Sequence, residues 1–408
     1  MKHLCRDSGQ YGLNVSADMY TTSGTRLIRT SDIAADGSLK AAGAGVYIDG
    51  SLEPRHQLRQ GDILLSRSGT LGRSFLVSEK SDGQTFAGFL IRFRPTDRVD
   101  PRFLHYATQS KTFQGIVHSE AVSSTIQNFN AERYANIPMR APTHSEQQRI
   151  ADFLDAETAR IDRLSVLRSE QLTLIRESLI TESAHLSGRT MVNSAHGLKE
   201  HVVQLRRATS AVQTGITPAD LRASVDDVAH DDLPWYTPAA IDEWMSIAKA
   251  EKVTRGGSGI PIFPSGSVIV TGIGESLGKV GYLPHAATGN QQLTSLSPSS
   301  GVNGRFIAWQ LRAAEKELRE WAQYSRIRII NNDTLKSFPI YLPPRTKQDS
   351  AVRILDSGLS QVQKAEAAIS RFQRVANERR QALITAAVTG QFDVSTASGR
   401  NVSDGVHA

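Results

Sequence analysis

The chain has 408 residues, of which 39% are hydrophobic and 22% charged, and a formal net charge of +6. That length allows two or three domains with ample cores, and the mildly basic balance favours a polyanionic partner. One cysteine, Cys5, excludes a disulfide framework and a cysteine-ligated metal cluster. No apolar run approaches the ~20 residues of a membrane span. The opening MKHLCRDSGQ has no apolar core of a secretory signal, so the cytoplasm is the expected compartment.

Taken in chain order, RLIRTSDI from Arg26 is expected to end in a short strand-like segment. GDILLSRSGTLGRSFLV from Gly61 reads as strand, glycine turn, strand, and FAGFLIRFRP as another strand. RFLHYATQSKTFQGIV is expected to be an amphipathic helix. After NAERYANIPMRAP comes a proline-free stretch of about 40 residues, read as one long helix. The pattern then starts again. PWYTPAAI from Pro234 resembles RLIRTSDI, GSVIVTGIGESLGKVGYL from Gly266 resembles the stretch at Gly61, and RFIAWQLRAAEKELREWAQY is a second amphipathic helix. A second long helix follows.

The turn GIGESLGK looks like a phosphate-gripping loop, but Ile273 stands where the first glycine belongs and Val280 where the Ser or Thr belongs. Its counterpart at Leu71-Gly72-Arg73 shows what it is, half of a repeated strand–turn–strand unit whose glycines supply positive φ. The repeat is longer than this unit. Residues 130–155 align without a gap to 331–356, with identities at Asn130/Asn331, Pro138/Pro339, Pro142/Pro343, Gln147/Gln348, Leu154/Leu355 and Asp155/Asp356. Asn130 and Asn331 are expected to cap helices. Leu179-Ile180-Thr181 recurs as Leu383-Ile384-Thr385, so the second copy has gained three residues. Before Gly215 the second copy is expected to have an opening strand and a helix, in HVVQLRRATSAVQTGITP. The first copy reaches the equivalent Gly12 after eleven residues, so either it lacks that strand or its start lies upstream.

Each repeat is thus an α+β globule followed by a helix. Leu355, Leu359, Val362, Ala365, Ile369, Phe372, Ala376 and Leu383 make a coiled-coil stripe. In the first helix Leu154, Ile161, Leu164, Leu172, Ile175 and Leu179 share a broader face, interrupted by Arg168 and Gln171. The expected architecture is two similar globules separated by two long antiparallel coiled-coil helices, a pseudo-two-fold internal repeat. The helices would be rods of about 60 Å, and such a layout suits reading half-sites along a polymer. The expected segments are globule 1–144, helix 145–188, globule 189–345, helix 346–391 and a polar tail, 392–408, expected to be disordered.

These residues resemble the specificity (S) subunit of type I restriction-modification systems. Pro142 with Glu146-Gln147-Gln148-Arg149-Ile150 carries the resemblance most specifically, and the ending QALITAAVTGQFDV is similar to that family's C-terminus. The second copy keeps only Pro343, Gln348 and Asp356 of this pattern. The resemblance implies two target recognition domains on double-stranded DNA, helical regions that bind two modification (M) subunits, and restriction (R) subunits joined through the complex. It places S-adenosylmethionine, ATP and Mg in those partners and none in this chain, which is then not an enzyme. No Asn-Pro-Pro-aromatic motif and no glycine-rich cofactor fingerprint is found in the sequence. A coiled-coil protein adaptor is the alternative reading, and a nucleotide-dependent enzyme is a further one that the broken loop opposes.

DNA binding needs cations for phosphate and hydrogen-bonding groups for base edges. In the first globule Arg26, Arg29, Arg67 and Arg73 lie in or beside predicted turns, with Ser66 and Thr70 as turn hydroxyls. Thr271, Ser276, Lys279, Arg326 and Arg328 hold comparable places in the second. Arg73/Lys279 is a repeated cation, which suggests a phosphate contact, because residues that read sequence should differ between the two globules. Trp235 is a candidate to touch a base, whereas Trp244, Trp309 and Trp321 are expected in cores. His105, His118 and His144 have no metal-ligand spacing. Arg149, Phe153, Arg160, Arg353, Arg371 and Arg374 are the helix residues expected to face M subunits.

Overall fold

The computed structural model describes residues 1–34, 36–40, 45–122, 128–193, 201–223, 232–257, 259–324 and 328–396. Most of the tail and Arg326 lie outside them. The first globule contains strands β1 (Gln10–Tyr11), β2 (Thr25–Ile28), β3 (Val46–Ile48), β4 (Ile63–Ser66), β5 (Ser74–Leu76), β6 (Thr85–Phe86) and β7 (Leu90–Phe93). Helices α1 (Pro101–Gln109), α2 (Lys111–Val122) and α3 (Ala131–Asn136) follow, then the 43-residue α4 (His144–Leu186) and the short α5 (Arg189–Asn193). The second globule runs β8 (Val202–Gln204), β9 (Thr209–Thr214), β10 (Arg222–Ala223), β11 (Asp232–Tyr236), β12 (Lys252–Arg255), β13 (Val268–Thr271), β14 (Val280–Tyr282), β15 (Thr288–Gly289) and β16 (Leu293–Pro298). After these come α6 (Gly304–Ala313), α7 (Glu315–Trp321), β17 (Gln323–Tyr324), β18 (Arg328–Ile329), α8 (Asn332–Ser337), β19 (Pro339–Tyr341) and the 45-residue α9 (Arg345–Thr389).

The chain forms two compact units. One holds Met1–Leu167 and the chain from Ser370; the other is the continuous segment Arg168–Ile369. Each unit therefore combines a globule with the beginning of one long helix and the end of the other.

Unit one has an antiparallel sheet in the order β1-β7-β4-β5 and a second sheet, β3-β2-β6, whose β2/β6 pair is parallel. In unit two the same order recurs as β9-β16-β13-β14 and, with β10 added, as β10-β12-β11-β15, whose β11/β15 pair is again parallel. The aliphatic runs of β4 and β13 follow from this. Alternate side chains of a strand face opposite ways, and here both ways lead to a core. Ile63 and Leu65 pack with Phe93 and Phe113, and Leu64 packs with Ile28 and Phe75. In unit two Val268 and Val270 face Phe306 and Trp309, whereas Ile269 faces Phe263 and Leu283.

The sequence identities turn out to be the bolts between globule and helix. The buried Gln147 accepts from the Asp100 backbone N–H at 2.8 Å and donates to the Pro142 carbonyl at 2.8 Å. Gln348 repeats both bonds, with Asn303 N–H at 2.9 Å and the Pro343 carbonyl at 2.7 Å. Asp155 accepts from Arg102 and Tyr106, at 2.8 and 2.7 Å, and Asp356 from Arg305 and Trp309, at 3.1 and 2.8 Å. Asn130 and Asn331 cap α3 and α8, accepting from N–H groups three residues on at 2.9 and 2.8 Å.

The long helices pack antiparallel inside each unit. In unit one Ile150, Leu154 and Ile161 of α4 share a core with Ala376, Leu383 and Ala387 of α9. In unit two Leu179 of α4 packs with Leu355, Leu359 and Val362 of α9. An ion pair marks each contact: Asp162 with Arg380 at 2.5 Å, and Glu366 with Arg176, whose Nε is at 2.9 Å. The differences 366 − 162 and 380 − 176 are both 204, so one bond is the copy of the other with the helices' roles exchanged.

Four expectations are corrected. RLIRTSDI and PWYTPAAI carry their strands, β2 and β11, at the start, and single 3-10 turns, Thr30–Asp32 and Pro238–Ala240, follow. The helix expected before Gly215 is a 3-10 turn, Leu205–Arg207, that leads into β9. The single helix expected at RFLHYATQSKTFQGIV is two, because the Ser110 hydroxyl donates to the Ala107 carbonyl at 2.7 Å and accepts from Phe113 N–H at 3.2 Å, ending α1 and starting α2. Its counterpart is likewise divided into α6 and α7 at Ala314. In unit two β8 pairs with β19, and the next residue, Leu205, donates to the Phe338 carbonyl at 2.9 Å. In unit one the Met1 amine makes the corresponding bond to Ile137 at 2.6 Å, and the described residues hold no counterpart of β8.

Candidate nucleic-acid interface

The repeated turn between β4 and β5, and between β13 and β14, shares the backbone bonds that frame it. Ser66 N–H donates to the Arg73 carbonyl and Thr271 N–H to that of Lys279, each at 2.9 Å. The turns close on Gly72 and Gly278, at φ +75° and +85°, a left-handed conformation that glycine adopts without strain. A Cβ at Gly278 would lie 3.0 Å from the Glu315 carbonyl oxygen, and at Gly72 2.3 Å from Gln114 Oε1. Behind the turn, Phe129 N–H bonds the Arg67 carbonyl at 2.9 Å and Ile330 N–H the Gly272 carbonyl at 2.8 Å. On the other side Arg67 N–H bonds the Phe89 carbonyl at 2.9 Å, and Gly272 N–H that of Gln292 at 2.8 Å.

The repeated cation belongs to this frame. Arg73 Nη1 donates to the Ile33 carbonyl at 2.7 Å, and Lys279 Nζ to the Ile241 carbonyl at 2.6 Å. Ile33 and Ile241 are buried and end equivalent single turns of 3-10 helix. Each cation thus ties the glycine turn to the neighbouring sheet, and this explains why a positive charge occurs in both copies.

The remaining candidates are differently placed. Thr271 is fully buried in β13 and its hydroxyl makes no hydrogen bond, so it is a strand residue rather than a turn hydroxyl. Ser66 is also buried, its hydroxyl donating to the Thr70 carbonyl and accepting from Arg73 N–H. Thr70 itself is exposed. Arg29 is paired with Asp32 at 3.0 Å, and that carboxylate raises its already high pKa further. Arg26, on β2, donates to the Lys40 carbonyl at 3.3 Å and lines a cleft with Lys40 and Lys80. Arg67 stacks its guanidinium 4.8 Å from the Tyr11 ring centroid and donates from Nε to Asn128 at 3.2 Å. In unit two Ser276 is half-buried and its carbonyl accepts from Lys279 N–H at 3.1 Å, while Arg328 is exposed on β18.

Trp244 and Trp309 are core residues, as expected, but Trp321 is 43% exposed and meets Phe338 in a T-shaped contact at 5.3 Å between centroids. Trp235 is half-buried and donates to the Ile216 carbonyl at 2.9 Å. Among the helix residues Arg149, Arg160, Arg353, Arg371 and Arg374 are exposed, whereas Phe153 packs on Phe392 at 5.6 Å between centroids. Sequence reasoning passed over Tyr11, Phe89, Gln291 and Gln292, which flank the turns in space. Aligning AGFLIRF of β7 with NQQLTSL of β16 pairs Phe89 with Gln292 and would have found all but Tyr11.

Two copies of one α+β module, with a common frame and different surface side chains, on helices that exchange roles, define a duplicated recognition protein. The type I restriction modification DNA specificity domain matches the chain twice, over residues 23–173 and 223–368. The chain belongs to this family and is a DNA-recognition subunit of a type I restriction-modification system. It is similar in fold to a solved structure described as the structural basis of complex assembly and conformational transition of the type I R-M system. That match has a TM-score of 0.74 at 18% identity and covers 95% of this chain and 96% of the other. The HsdS subunit from Thermoanaerobacter tengcongensis is similar with a TM-score of 0.59 at 17% identity, covering 96% of each chain.

Proposed function

We propose that each globule reads one half of a two-part DNA site and that the long helices carry two M subunits, through which R subunits join. The chain itself performs no chemistry in this reading; S-adenosylmethionine, ATP and Mg act in the partners. The observation that carries it is the pair of surfaces described above, in which the supporting bonds are the same and the outward side chains differ. Arg26, Thr70, Ser276 and Arg328 are proposed to contact the DNA backbone, and Arg29 does so from its pair with Asp32. Arg73 and Lys279 hold the turns and reach phosphate only through hydrogens not given to the carbonyls. The exposed arginines of the helices, Arg149, Arg160, Arg353, Arg371 and Arg374, face the M subunits.

The test is to co-express the chain with its M subunit in a methylation-free host and map modified adenines. A two-part motif with a fixed unspecified spacer is expected. An assembled complex that leaves no sequence-specific methylation, and whose DNA binding is absent or insensitive to salt, would refute it, since phosphate contacts make binding fall steeply with salt. That outcome would favour a protein adaptor.

A further inference from the structure

The frame shared by the two units shows where they differ. The residue after β4 is Arg67 and the residue after β13 is Gly272; both give their backbone N–H to the facing loop and their carbonyl to the next segment. Around this one position the side chains diverge. Unit one has Tyr11, Phe89 and Asn128, and unit two has Thr214, Gln292 and Ile329 at the corresponding places. Phe89 is 64% exposed and Ile329 38% exposed, so both side chains are open to a partner.

Arg67 is held as a reading group is held. Tyr11 supports one face of its guanidinium, and Tyr11 is in turn fixed by accepting from Ala131 N–H at 3.0 Å. Asn128 takes the Nε hydrogen. The terminal nitrogens make no hydrogen bond to a described residue, and no described carboxylate pairs with them, in contrast to Arg29 on Asp32. A rigid fork of donors with no acid partner matches two adjacent acceptors, and the major-groove edge of guanine presents such a pair in O6 and N7. In unit two no side chain occupies the position; the Thr214 hydroxyl beside it is taken up by Asn332 at 3.0 Å, and the facing loop carries two amides. Gln292 accepts from Asn290 at 2.9 Å and the exposed Gln291 accepts from Thr217 at 3.0 Å, and neither side-chain NH2 group donates to a described residue.

We propose that Arg67 determines specificity in the first half-site by donating both terminal nitrogens to a guanine in the major groove, and that Gln291 and Gln292 take over reading in the second. This rests on the two-part reading of DNA above. Phe89 covers the base next to that guanine and keeps water from the Arg67 contact.

The experiment is the methylome of the complex of the full chain with its M subunit, carrying Arg67→Ala or Arg67→Lys, together with selection of bound sequences from a randomised DNA pool by the purified complexes. Loss of one good bidentate contact relaxes its base by about tenfold or more. One guanine of one half-site is therefore expected to lose its requirement in both variants, with the other half-site and the spacer unchanged. Gln291→Ala should relax the opposite half only. An unchanged motif and pool preference in both Arg67 variants, or relaxation at a base other than guanine, overturns the proposal while the two-part reading stands. If Arg67→Ala abolishes methylation, Arg67→Lys and the pool selection decide by the same criterion. A wild-type complex with no two-part motif overturns the underlying reading and this proposal with it.

Discussion

Replacing Gln147 by alanine tests the claim that the glutamines fasten globule to helix. Gln147 is 3% exposed. The change leaves the Asp100 N–H without its acceptor, at the cap of α1, and the Pro142 carbonyl without its donor. A buried group left unsatisfied costs about 1–3 kcal/mol, and the lost side-chain methylene adds about 0.8 kcal/mol. About 3 kcal/mol is therefore expected, and the same for Gln348→Ala, whose side chain is equally enclosed. For a unit of roughly 200 residues, 1 kcal/mol lowers Tm by about 2–4 °C, so each substitution should lower one transition of the full chain by about 6–12 °C in scanning calorimetry. Gln147→Glu keeps the acceptor for Asp100 but turns a second oxygen toward the Pro142 carbonyl, and its loss should shrink as pH falls and the carboxyl is protonated. Shifts below about 1 °C in both alanine variants would refute the fastening role.

Two further outcomes follow from the helices and from α1. The ion pairs Asp162–Arg380 and Glu366–Arg176 are partly exposed, with the Asp162 side chain at 62%, so each contributes about 0.5 kcal/mol and less at high salt; Asp162→Arg should destabilise unit one and Arg380→Asp added to it should restore stability, and a double variant no better than the single one would contradict the pairing. His105 on α1 is pushed down to about 4, first by burial, with a hydrogen bond to Ser74 opposing; the unfolded chain takes up that proton near the ordinary 6.5. Its contribution is thus complete above pH 6.5 and lost as pH falls toward 4, on the order of 2 kcal/mol, and His105→Gln should flatten the profile of urea midpoints between pH 7 and 4.5, whereas parallel profiles would show that His105 is not the group responsible.

The duplication was readable in the sequence because the fastening residues recur at fixed spacings, even though Gln147 and Asp155 find partners 47 and 53 residues away. Asn130 and Asn331 announce their caps within three positions, and Pro142 and Gln147 sit five apart. The broken phosphate loop could be recognised as a turn for a similar reason, since its glycines recur in register. What the sequence hid depends on distant partners. The carbonyl that occupies Arg73 belongs to Ile33, 40 residues earlier, and nothing in a spacing rule connects the two. Thr271 resembles a turn hydroxyl until the register of β13 on β16 places it inside the sheet. Arg67 looked like one surface arginine among several, and only the comparison of two folded frames sets it apart from Gly272. The break at Ser110 was missed because serine serves inside helices as well as at their ends, and its choice is made by the packing of α2 against the core.

The division of the chain also sets an order of completion. Unit two is one uninterrupted segment, whereas unit one starts at Met1 and needs the strip of α9 beyond Ser370 to cover Ile150, Leu154 and Ile161. A ribosome releases the first globule early and its covering helix last. The second unit, though made later, is closed first, and the apolar flank of α4 waits bare through some two hundred residues of synthesis. Domains usually mature in the order in which they are made. Here the earlier one finishes last, and a chain cut short in α9 would deliver a sealed second unit attached to an open first one.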